Sequence, residues 1–166
     1  MAIAEKAEVI ESRVDLALER LHRELPGTRD LVARSEGVLV MPAVTKGGFI
    51  VGASYGEGAL RLVHDGVLGP TVQYYSIGAA SVGLQAGIQE SAHALFFLTT
   101  AALERFRRSD GWEAGVDAEI TVLDRGASLG VDSTKTQRPV VAIVFGQSGV
   151  MVGASLEGAK YSRIDR

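Results

Sequence analysis

The sequence predicts an α+β fold dominated by β-structure: an antiparallel, strongly curved or closed, barrel-like sheet with about three helices packed outside it. Three observations carry this expectation. The chain of 166 residues holds 20 glycines but only 4 prolines, a balance that suits short strands that bend or approach closely. Between residues 37 and 103 the only charges are Lys46, Glu57, Arg61, Asp65 and Glu90, as expected of buried strands. The order of elements is helix, many strands, one helix, more strands, without the βαβ alternation of a parallel sheet. A single domain over 1–166 accounts for the whole chain, and at this length roughly 70% of the unfolded surface can be buried without a metal or disulfide.

Residues 3–25 read as an amphipathic helix. Ile10, Val14, Leu18, Leu21 and Leu25 recur at spacings of three and four, which places them on one stripe. Glu19 and Arg23 pair four apart on the charged face, and Pro26-Gly27 stops the helix. The polar face is net acidic, unlike the basic face of interfacial helices, so this helix is expected to pack against the sheet. A short helix follows at Asp30–Arg34.

The β core occupies 37–164. Gly37-Val38-Leu39-Val40-Met41-Pro42 is an apolar run bounded by breakers. Gly47–Tyr55 and Ala59–His64 read as a further pair, followed by Val72–Ser76. Val82–Gln89 alternates apolar residues with Gly83, Gln85, Gly87 and Gln89, a period of two. Ala94–Leu98, Ile120–Leu123, Val140–Phe145 and Val150–Leu156 complete the set. A helix at 99–108, capped by Thr99 or Thr100, interrupts it and ends at Ser109-Asp110-Gly111. Asp124–Pro139 reads as an exposed polar loop. Val38, Val40, Phe49, Val51, Leu84, Phe96, Ile143 and Phe145 are the expected core. Val51-Gly52-Ala53-Ser54 recurs as Val152-Gly153-Ala154-Ser155, each followed by a Glu-Gly-Ala triplet, which suggests two equivalent strands.

The same residues exclude much chemistry. The net charge of −3 argues against broad nucleic-acid binding. No cysteine is present, which removes disulfides, thiol catalysis and thiolate metal sites. No apolar run spans a membrane. His22, His64 and His93 have no metal-spaced partners, and no metal or cofactor is expected. Gly52-Ala53-Ser54-Tyr55-Gly56 fits the G-x-S-x-G pattern, but a nucleophile elbow needs a helix after the serine. Here the glycine-broken Glu57-Gly58-Ala59 follows, so catalysis is not expected.

Several segments together resemble the SYLF domain family. They are Ala33–Pro42, Lys46–Gly58, Tyr74-Tyr75-Ser76, Ser81–Gly87 and Gly149–Gly158. Their order and spacing match across nearly the whole chain. The resemblance implies binding of phosphoinositides or other anionic phospholipids at a membrane surface, a barrel-like core, and no catalysis. In fungal and animal relatives it implies coupling to actin assembly and membrane remodelling. The short form resembles bacterial members, many of them exported lipoproteins. It therefore implies the cell envelope of a bacterium, with the chain shown without its leader, or else a cytoplasmic form.

Phosphate groups favour exposed Arg and Lys donors. The candidates are Lys46, expected in a loop beside Gly47-Gly48; Arg105, Arg107 and Arg108 on the second long helix; and Arg125, Lys135 and Arg138 around the polar loop. Asp110, Glu113, Asp124 and Asp132 lie close by in sequence and should keep affinity modest. Two other readings remain open: a structural or protein-interaction domain of the envelope, and a barrel holding a small apolar ligand.

Overall fold

The computed structural model describes residues 6–46, 53–79, 90–123, 138–146, 149–151 and 154–166, with Lys46 by its backbone alone. Among the described residues three helices, α1 (Ala7–Glu24), α2 (Thr28–Ala33) and α3 (Thr100–Arg108), accompany nine strands. The strands are β1 (Gly37–Lys46), β2 (Ser54–His64), β3 (Val67–Ala79), β4 (Glu90–Phe97), β5 (Trp112–Glu113), β6 (Ile120–Leu123), β7 (Val140–Gly146), β8 (Gly149–Val150) and β9 (Lys160–Ile164). One continuous path, β5-β9-β3-β2-β1-β4-β7-β6, forms a curled half-barrel, and β8 hangs off β7. The sheet is thus curved rather than closed among the described residues. Every strand pair is antiparallel except β6–β7.

Both faces of the sheet are covered, which explains why β7 reads as an unbroken apolar run. Val141, Ile143 and Phe145 turn to one side, while Val140, Ala142 and Val144 turn to the other. On the first face lie α1 and α2. The whole expected stripe of Ile10, Val14, Leu18, Leu21 and Leu25 is buried there against Val38, Val40, Ala59, Phe96 and Phe145. Arg61 on β2 fastens the helix by its charge, with Nη1 2.7 Å from Asp15 and Nη2 3.4 Å from Glu11. Part of the acidic face of α1 is therefore used against the sheet.

On the second face, α3 lays Leu103 and Phe106 onto Leu39, Leu60, Tyr75, Leu95 and Phe97. Thr99 is its cap, its hydroxyl accepting the Ala102 amide hydrogen at 3.0 Å. Of the expected core residues, Val38, Val40, Phe96, Ile143 and Phe145 are buried. Phe49, Val51 and Leu84 lie outside the described residues, as does the strand expected at Val82–Gln89.

Several boundaries differ from the sequence reading. The strands expected at Gly47–Tyr55 and Ala59–His64 join within the described residues: Ser54–His64 is one strand running straight through Gly56-Glu57-Gly58. Sterics explain the glycines. Beside the irregular stretch of β1 between Val40 and Ala43, a Cβ on Gly58 would stand 2.0 Å from the Val40 carbonyl oxygen, and one on Gly56 2.6 Å from that of Ala43. Val72–Ser76 is the middle of a longer strand, β3. Val150–Leu156 shortens to Gly149–Val150, and β5 and β9 have no counterpart in the sequence reading. The two Glu-Gly-Ala triplets are not equivalent: the first lies within β2, whereas the second makes a turn at Gly158, with φ of 87°.

Candidate anion-binding rim

The centre of the second face is aromatic. Phe106 stands 4.7 Å, ring to ring, from both Tyr75 and Phe97, 5.1 Å from Trp112 and 6.1 Å from Tyr161. One side chain thereby fixes α3 to β3, β4, β5 and β9. Its neighbours are then fixed too. Successive helix residues diverge by about 100°, so Arg105 and Arg107 flank Phe106 while Arg108 points away from the sheet. All three arginines are exposed, and among the described residues none has a salt-bridge partner. They occupy the last turn of α3, where cations also offset the negative end of the helix dipole.

Strand β9 brings further positive charge to this end of the helix. Arg163 lies opposite Tyr75 in the β3–β9 ladder. Burial raises the Tyr75 hydroxyl above its ordinary value, and the positive charges of Arg163 and Arg107 pull it back. Two guanidinium groups from separate elements thus act on one phenol. Lys160 extends across the turn that ends α3, since a Cβ on Gly111 would stand 2.7 Å from its Cε. Glu113 lies directly across from Lys160 on β5, and Glu104 and Asp110 are exposed nearby. Asp117 adds a fourth carboxylate, accepting the Glu113 amide hydrogen at 2.6 Å, so Arg105, Arg107, Arg108, Lys160 and Arg163 leave the rim only slightly net positive.

The other expected donors lie elsewhere. Arg138 is exposed and donates from Nη1 to the Thr121 hydroxyl at 2.6 Å. Its neighbour Pro139 accepts the Leu98 amide hydrogen, so it sits near the start of α3, roughly 12 Å of helix from Arg108. Lys46, expected in a loop, is the last residue of β1. Gly37, at the other end of that strand, packs on Leu103, which puts Lys46 about 30 Å from there. Arg125 and Lys135 fall outside the described residues. Sequence reading missed Lys160 and Arg163 because β9 is short. The only cues were Gly158 followed by Lys160-Tyr161-Ser162-Arg163-Ile164.

Two serines bear on the question of a nucleophile. Ser54 opens a strand that runs on to His64, so no helix follows it. Ser91 and His93 do meet, with Oγ and Nε2 at 3.0 Å, but both are sealed in the core, and His93 Nδ1 has no partner among the described residues to orient the ring. Among the described residues no cluster of acids and histidines could hold a metal ion, and no described helix is long and apolar enough to cross a membrane.

The curled β half-barrel agrees with the β-dominated α+β fold that the SYLF resemblance implies. The family described as "Ysc84: Las17-binding protein actin regulator" matches residues 78–165, more than half of the sequence. The chain belongs to this family, whose matched segment contains β4 to β9 and α3 and so includes every rim residue. No curated protein matches it.

Proposed function

We propose that this chain is a non-catalytic module of a bacterial cell envelope that binds anionic phospholipid headgroups through the rim formed by α3 and β9. The observation that carries the reading is the exposed arginine cluster in the last turn of α3 together with Arg163, which lies opposite Tyr75 in the β3–β9 ladder beneath that helix. Guanidinium groups are weakly hydrated forks that fit phosphate oxygens. Each cation near an anionic surface contributes about 1 kcal/mol, and the neighbouring carboxylates reduce the sum. Binding is therefore weak, spread over several contacts and sensitive to salt. The family description names a protein-binding actin regulator; a protein-interaction role would use the same exposed face without needing phosphate.

Co-sedimentation with vesicles tests this. Binding to vesicles containing an anionic phospholipid is expected to fall steeply between about 0.05 and about 0.5 M salt, as the screening length shortens. The double variant Arg107→Glu, Arg163→Glu should lose at least tenfold in affinity while keeping its fold. Equal binding to zwitterionic vesicles, or an unchanged double variant, would remove the headgroup reading and leave the interaction role.

A further inference from the structure

A second feature lies on the opposite face of the sheet, between α1 and the ends of β4 and β7. It is a groove of about 310 Å³, into which α1 contributes Arg13, Leu16 and Arg20, and the sheet contributes Ala92, Phe145 and, at the lip, Glu90. The three helix residues recur at spacings of three and four, so they share one face of α1. We infer that this groove binds a single-chain, fatty-acid-like anion, with the carboxylate on Arg20 and the aliphatic chain over Phe145 and Leu16.

Three observations converge on that occupant. The Arg20 guanidinium carbon lies 5.9 Å from the centre of the Phe145 ring, so the charge is held against an apolar floor. Its Nη2 is buried and finds no acceptor among the described residues, although buried donors are satisfied as a rule and charged ones most of all. Leu16 is 65% exposed at the edge of the groove, on a helix whose other large aliphatic side chains, apart from Val9, are buried. A charged donor lacking an acceptor beside an apolar floor and an exposed leucine complements an amphiphile with one anionic end. The buried Nη2 of Arg20 calls for an acceptor, which favours an anion over a cation. The volume lies at the small end of small-molecule sites, which suits one chain and not the two of a phospholipid. The groove shares no residue with the rim, so the two proposals stand or fall separately.

Titration calorimetry of the whole chain with dodecanoate below its micelle concentration tests the inference. Saturable binding of one dodecanoate per chain is expected. Arg20→Met, which keeps the apolar stem and removes the charge, should weaken it at least tenfold. Leu16→Asp should do the same through charge repulsion, and this residue is too exposed to matter for folding. The uncharged decanol should bind at least tenfold more weakly than decanoate of the same chain length, and Arg107→Glu with Arg163→Glu should change nothing. The inference is overturned by absence of saturable binding, by equal affinity for decanol and decanoate, or by unaltered affinity in both groove variants. It is likewise overturned if the rim variant is the one that loses dodecanoate. Loss of vesicle binding in the groove variants, with no dodecanoate binding in the parent, would make the groove a membrane contact instead.

Discussion

Two buried side chains carry measurable consequences. Phe106 contacts four other rings and, with Leu103, holds α3 to the sheet. Phe106→Ala is expected to cost about 3–5 kcal/mol and, by loosening α3, to weaken vesicle binding although it removes no charge. Denaturant unfolding checks the first part. A loss below about 1 kcal/mol would show that α3 is held by something else. His93 is the second. Its ring is fully buried, and burial holds its pKa down from the ordinary 6.5 to about 3. The folded value lies below the unfolded one, so the unfolded chain binds the extra proton as pH falls. The stability associated with a neutral His93 is complete above about pH 6.5 and declines below it, by about 1.4 kcal/mol per pH unit at most. Unfolding free energies measured from pH 7 to pH 4.5 should show this slope in the parent and a shallower one in His93→Leu. Identical slopes would mean that His93 can be protonated where it sits.

At the scale of elements, close approach of backbones decides what substitutions the sheet accepts. Gly58→Ala would push a methyl into the Val40 carbonyl, so β1 and β2 must separate or shift. A loss of about 1–3 kcal/mol or more is expected, and hydrogen exchange should show it concentrated in β1 and β2. A neutral Gly58→Ala would contradict the pairing of β1 with β2 in this register. This same glycine pair shows what sequence reading can and cannot reach. Gly56 and Gly58 resembled a strand break, because the need for them comes from β1, which is distant in sequence. By contrast, α1 was legible from its stripe of aliphatic residues, and α3 from its cap and its glycine stop, since both signals are local. β5 and β9 are too short to show a period. Of the candidate site, Arg105, Arg107 and Arg108 were legible as a cluster. Arg163 was not, because only the β3–β9 ladder brings it beside them.

Over the whole molecule the net charge is −3, so long-range attraction does not draw this chain to an anionic surface. Local charge has to do it, and the fold separates the available cations into unequal groups. Arg105, Arg107 and Arg108 end α3 on the side where β9 brings Arg163 opposite Tyr75 and Lys160 reaches Gly111, while Arg138 bonds to Thr121 near the far end of α3 and Lys46 ends β1. The central claim is thus one of place: phosphate binds where α3 meets β9. The most direct measurement is an NMR titration of the labelled protein with a soluble inositol phosphate. Shifts are expected at the amides of Arg105–Gly111 and Lys160–Ile164, declining as salt is added. Shifts confined to α1, or to the neighbourhood of Thr121 and Arg138, would contradict the account.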